Sequence, residues 1–181
     1  TNTNDILKSI ITNGQMTKKI VSQTYSPSMD IQISSNFERQ MFESFDRDSD
    51  KVINAFNEFH KTGNYLFKPN IVNNFKKNYD ASSINDEETL ETICKVFEKY
   101  DYISDPHTAT GLKLLMDKND EETWVSLACA HPAKFNSAVK KAINKEADIP
   151  IELSNLFDKK EKMTILPNNT DKVKSYLLEN I

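Results

Sequence analysis

The sequence predicts an α/β fold that is rich in helix and holds two to four short strands. Three observations carry that expectation. Apolar residues recur at helical spacing along much of the 181-residue chain. The clearest case is residues 86–100, where Leu90, Ile93, Cys94, Phe97 and Tyr100 form one stripe. Residues 123–129 (TWVSLAC) are short, uncharged and apolar, as suits a strand buried inside a sheet. Pro132 follows that run and opens a further helical pattern, so strand, tight turn and helix come in succession.

The elements follow in order. Residues 4–12 read as a short helix with Ile6, Leu7, Ile10 and Ile11 apolar, stopped by Asn13-Gly14 in a left-handed turn. Residues 19–25 read as a short strand or a structured loop, and 29–34 (MDIQIS) as an extended segment after Ser26-Pro27. Ser35 is placed to cap the next helix, with Glu38 closing a capping box and Phe37, Met41 and Phe45 behind it. The acidic run at 46–50 (DRDSD) bends or interrupts that helix. A second helix presents Val52, Ile53, Phe56 and Phe59 and ends at Gly63, and Pro69-Asn70 starts another containing Ile71, Val72 and Phe75.

Asn85 and Glu88 form the capping box of the helix at 86–100, in which Cys94 reads as a small core residue. Asp105-Pro106 is a cap followed by proline at the first helical position, with Ala109, Leu112, Leu115 and Met116 as the core face behind it. The helix opened by Pro132 presents Phe135, Ala138, Val139, Ala142 and Ile143. A last helix after Asn169 or Thr170 carries Val173, Tyr176 and Leu177. Trp124 and the phenylalanine stripes read as core.

Composition removes several function classes. The net charge is −4 and lysines are interspersed with acids, so no basic stripe offers a nucleic-acid footprint. No apolar run approaches the roughly 20 residues that span a bilayer, and no signal-peptide pattern is present. Two cysteines and three histidines (His60, His107, His131) lack metal-ligand spacing, so no metal is expected. A reduced, cytoplasmic protein is the plain reading. Only three glycines occur, Gly14, Gly63 and Gly111, and they stand far apart. A glycine-rich phosphate cradle cannot be built from them. The opening TNTNDIL begins at threonine and reads as an internal stretch of a longer protein.

In open α/β sheets, ligands lie beyond the carboxyl ends of the strands. That rule places Cys129, Ala130 and His131 at a candidate ligand edge. The octapeptide ACAHPAKF at 128–135 resembles the AHPAKF signature of threonine synthases. TNTNDIL at 1–7, SPSMDIQISSNFER at 26–39, NDEET at 85–89 and DPHTATG at 105–111 resemble segments of the same family, in its order. The likeness covers nearly the whole chain and is poorest across 47–83.

The resemblance implies the C-terminal part of a fold-type II enzyme, the tryptophan-synthase-β architecture. Such enzymes bind pyridoxal phosphate (PLP), and threonine synthases convert O-phosphohomoserine and water to threonine and phosphate. The Schiff-base lysine and the phosphate loop lie in the family's earlier part, and neither motif occurs here. Residues 1–181 are therefore expected to be a single C-terminal segment whose partner is the missing N-terminal part of the same chain. Taken alone, the chain is expected to hold no catalytic residue, no cofactor and no activity.

Where the family commonly has threonine against the cofactor's pyridine nitrogen, this sequence has Cys129. The thiol is expected to make that contact, the alternative being a small buried residue at a strand end. Ala130 and His131 belong to the same cofactor-facing turn. His131 either orients a substrate group or caps the following helix, and His107 has the same two readings. Asp105 reads as an N-cap. Asn36 and Arg39 are candidate substrate contacts, with an Arg39–Glu43 ion pair as the alternative for the arginine. Asn2, Asn4 and Asp5 are placed to line the site from another side, and Lys134 to face solvent. Two other functions remain open: a non-catalytic α/β or helical interaction module, and a PLP phospho-lyase of the same fold with another substrate.

Overall fold

The computed structural model describes residues 1–118 and 121–180, with the side chain of Phe157 outside the description. The chain forms two units, Thr1–Ala147 and a second that starts at Asp148. Helix α1 (Ile6–Asn13) stops because Gly14 turns left-handed at φ 71° and returns its N–H to the Ile10 carbonyl. A Cβ there would overlap Val72 Cγ2, so both the turn and the packing demand glycine.

Strand β1 (Gln15–Thr17) leaves that turn and pairs antiparallel with β2 (Asn64–Leu66), Met16 lying opposite Tyr65. Strand β2 follows a second left-handed glycine, Gly63, which ends α3 (Ser49–Thr62). The two glycine turns close the hairpin-like pair: Lys18 N–H donates to the Gly63 carbonyl, and Phe67 N–H to the Gly14 carbonyl. Among the described residues this is the whole sheet. The expected helix-rich fold with few short strands is observed, although these strands are not those the sequence marked. Residues 19–25 are loop, the second of the two readings. Residues 27–29 form a 3₁₀ turn, and the remainder of the expected extended segment is loop.

Helix α2 (Phe37–Ser44) starts without the expected Ser35–Glu38 box. Asn36 precedes it in helical conformation, and the amides of Phe37 and Glu38 donate to the Ser34 and Ser35 carbonyls. A turn thus supplies the acceptors that a side-chain cap would have provided. The acidic run does interrupt the helix: Asp46 and Arg47 both take positive φ, and the Asp48 carboxylate caps α3 by accepting from the Asp50 and Lys51 amides. Helix α4 (Pro69–Asn78) lies against α1. The core between these elements gathers Ile6, Ile10, Met16, Met41, Phe45, Ala55, Phe59, Phe67, Val72 and Phe75. The Phe67 ring sits at its centre, edge-on to Tyr65 at 4.9 Å and to Phe75 at 5.3 Å. Full burial of each such aromatic contributes about 1.5–3 kcal/mol. Ile53, expected on the α3 core face, is exposed, and Ala55 takes that place.

Helix α5 (Asp86–Tyr100) has the predicted box: the Asn85 side chain accepts from the Glu88 amide while the Glu88 carboxylate accepts from the Asn85 amide. Its buried stripe runs through Thr89, Thr92, Ile93 and Val96, one position from the expected line. Cys94 is accordingly half-buried rather than core, and Tyr100 is exposed. Helix α5 packs on both α6 (Pro106–Met116) and α7 (Asn136–Ile143). Between α6 and α7 the expected strand does not form. Residues 123–129 take no regular secondary structure; Val125 is 81% and Leu127 79% exposed, and Trp124 lies outside the core. An apolar run pairs only where a second strand edge lies beside it, and none of the described residues provides one. Pro132–Phe135 is a 3₁₀ turn leading into α7, which buries Ala138 and Val139. The second unit holds two 3₁₀ turns and α8 (Thr170–Asn180), in which the Tyr176 and Thr164 hydroxyls lie 3.0 Å apart.

Candidate functional site

The turn at Cys129–His131 is held from below by the first residues of α6. Asp105 is 1% exposed, and its carboxylate is the centre of the arrangement. Oδ1 accepts from the His107 backbone N–H and from His107 Nδ1, both at 2.9 Å. Oδ2 accepts from the Thr108 hydroxyl in a short hydrogen bond and from the Ala130 N–H at 3.3 Å. The Thr108 hydroxyl oxygen then accepts the Cys129 N–H at 2.9 Å. His107 Nε2 accepts the Ser28 N–H at 3.2 Å, which leaves Nδ1 as the protonated nitrogen that faces Asp105. The His107 ring also lies 4.6 Å from the Phe135 ring.

Burial works against the ionised form of Asp105. The hydrogen bonds from Thr108 and His107 outweigh it and hold the carboxyl below the ordinary aspartate range. A groove runs beside this cluster, lined among others by Ser28, Met29, His107, Trp124, Leu127 and Cys129. Gly111 also borders it, and a Cβ at that position would come within 2.9 Å of the Ser126 Oγ, so the 123–129 run lies close against α6.

The far side of the Ser26–Asp30 loop is fixed by a second buried network. Asn2 and Asn4 are 2% and 4% exposed. Asp30 Oδ1 accepts from Asn2 Nδ2 at 2.7 Å, from Asn4 Nδ2 at 3.0 Å and from the Thr24 hydroxyl at 2.7 Å, while Oδ2 accepts the Thr24 N–H at 2.9 Å. Asn2 and Asn4 thus spend their amides on Asp30 and its loop. Asp5 pairs with Lys19 at 2.6 Å, and that bond draws its carboxyl below the usual range.

The predicted residues separate into two groups. Cys129, Ala130 and His131 come together at the turn. The Cys129 thiol is exposed, with Sγ 3.6 Å from the Leu127 carbonyl. His131 Nδ1 accepts from the Ala133 amide at 3.2 Å, the capping alternative. Asn36 and Arg39 are exposed at the start of α2. Glu43 pairs with Arg47 at 3.1 Å, not with Arg39, because the left-handed turn at 46–47 brings Arg47 back toward α2. Asp105 was legible only as a helix cap, and Thr108 carried no signal of its own beyond its place in DPHTATG.

Comparison with known proteins agrees along the whole chain. A family profile described as threonine synthase, C-terminal, matches residues 108–177. Threonine synthase of Pseudomonas aeruginosa is 34% identical over 99% of this chain and 39% of its own length. The crystal structure of PLP-bound threonine synthase from Brucella melitensis superposes with a TM-score of 0.85 at 37% identity, over 99% of this chain and 39% of that one. The yeast threonine synthase structure gives 0.83 at 33% identity, over 98% of this chain and 40% of that one. The chain spans about two fifths of the length of these relatives. It belongs to the threonine synthase family, and it corresponds to the family's C-terminal part.

Proposed function

We propose that the protein to which this chain belongs is a PLP-dependent carbon–oxygen lyase that converts O-phosphohomoserine and water to L-threonine and phosphate in the cytoplasm. The end-to-end likeness to threonine synthases, one of them PLP-bound, carries the reading. No helix among the described residues is long and apolar enough to cross a membrane. Bound PLP supplies an electron sink, and the protein supplies binding and orientation. The residues present suit the ring edge of such a cofactor and not its phosphate. An exposed thiol at Cys129 has a hydrogen to donate to a ring nitrogen. The α6 N-terminus already spends its amide on the Asp105 carboxylate, a charge that disfavours a second anion.

In this reading Cys129 would hold the pyridine nitrogen, Ala130 and His131 would border the ring, and Asn36 and Arg39 would take the substrate. The phosphate grip and the reactive lysine come from the N-terminal part of the same polypeptide. The test is an assay of that whole polypeptide with O-phosphohomoserine. Threonine and phosphate released in equal amounts are the expected result, and cofactor binding without either product overturns the reading. Residues 1–181 alone are expected to give no bound-cofactor absorbance and no threonine. In the whole enzyme, Cys129→Thr should keep or raise activity, and Cys129→Ala should shift the cofactor's spectrum. An unchanged spectrum in the alanine variant removes Cys129 from the ring.

A further inference from the structure

From the geometry below α6 we infer that Asp105 is a positioning residue, whose carboxylate, relayed through the Thr108 hydroxyl, sets the backbone of Cys129 and Ala130 at the cofactor-facing turn. This rests on the function proposed above. An ionised carboxylate only accepts hydrogen bonds and has about four lone-pair positions. All four are used: two by His107, one by Thr108 and one by Ala130. The Thr108 proton points to Asp105, so its oxygen is free to accept the Cys129 amide. Hydrogen bonds in such a chain polarise one another. The result is a direct hold on residue 130 and a relayed hold on residue 129. The Cys129 and Ala130 amides are thereby fixed to the start of α6 across 21 and 25 positions of sequence.

The requirement is for aspartate and not merely for a cap. An asparagine would still cap the helix well. Its side chain, however, has one oxygen and one NH2. In either orientation two of the four partners would face a donor, because each carboxylate oxygen receives two donors. If the His107 pair is served, the Ala130 amide and the Thr108 hydroxyl lose their acceptor. If they are served, His107 must turn or change tautomer and gives up the Ser28 amide. The first orientation keeps the helix cap and frees the turn, whereas the second keeps the turn's acceptors and strips the cap from the His107 amide, so only a carboxylate holds both at once.

The test uses the full-length enzyme, with its wild type first shown to bind PLP and form threonine. Failure there counts against the proposed function and not against the tether. Three variants are then compared: Asp105→Asn, Thr108→Val and Thr108→Ser. Asp105→Asn and Thr108→Val should speed hydrogen exchange at amides 129 and 130 in the cofactor-free protein and move the absorbance maximum of the bound cofactor. They should lower kcat by roughly 10- to 100-fold, the scale of misplacement near an ångström, with KM little changed. Thr108→Ser keeps the hydroxyl and should restore all three readouts. Should Asp105→Asn fail to fold, the valine–serine pair decides. Lowered stability with unchanged exchange, spectrum and kcat would reduce Asp105 to a structural cap and overturn the inference.

Discussion

Asp30 and Asp105 are each met by four hydrogen bonds, yet they stand in different kinds of network. Asp30 gathers Asn2, Asn4 and Thr24, and its donors are themselves tied to Ser22, Ser26 and Gln32. That circle welds Asn2 and Asn4 to the loop at 22–30, across α1 and β1. The donors of Asp105 lead outward, to the Ser28 amide in one direction and to the turn at 129–130 in the other. The same acceptor chemistry makes a weld in one place and a tether in the other, and the partners' positions in the chain decide which.

Mutations should separate the two. Asp30→Ala removes the common acceptor of two buried amides and a hydroxyl, and should cost about 3 kcal/mol of stability, read as a lower thermal unfolding midpoint. Thr24→Val takes one member from the same circle, which loses a donor to Asp30 and an acceptor for Asn2 and Ser26. A loss of about 2 kcal/mol by denaturant titration is expected. Equal losses for Thr24→Val and a surface control would show that the weld is not cooperative.

Beside the tether lies a contrasting residue: the Ser104 hydroxyl is fully buried and has no hydrogen-bond partner among the described residues. Ser104→Ala removes an unpaid desolvation cost and should raise stability by up to about 1 kcal/mol, without moving the cofactor spectrum of the whole enzyme. The smallest effect is local and depends on pH. Asp105 is held below its ordinary range in the folded protein. Its contribution is therefore fully present above the unfolded aspartate value of about 3.9, and is lost as pH falls through the lower folded value. Acidification should speed intrinsic-rate-corrected exchange at amides 129 and 130 only in that acid window. Loosening already at pH 6 would break the assignment.

Features governed by near neighbours were legible in the sequence. The Asn85–Glu88 box, the Gly14 and Gly63 stops and the Asp105-Pro106 start all formed where local rules place them. The Ser35–Glu38 box has the same local look and fails, since the preceding turn already gives the Glu38 amide an acceptor in the Ser35 carbonyl. What stayed hidden depends on distant partners. Gln15–Thr17 and Asn64–Leu66 are too short to carry a period, and they pair only because two glycine turns bring them together. The run at 123–129 has the composition of a strand but no described edge beside it. At the site, the turn was found through its residues, whereas Asp105 holds it across 25 positions of sequence that no periodicity links.

That run also has a colloidal consequence. Seven uncharged residues without proline or glycine, two of them bulky aliphatics facing water, match the composition that stacks into intermolecular strands. Handled at high concentration as the isolated 181-residue polypeptide, this chain should scatter light and gain intermolecular β signal in the infrared. A single lysine at position 125 or 127 would act as a gatekeeper against that assembly while leaving the aromatic core untouched.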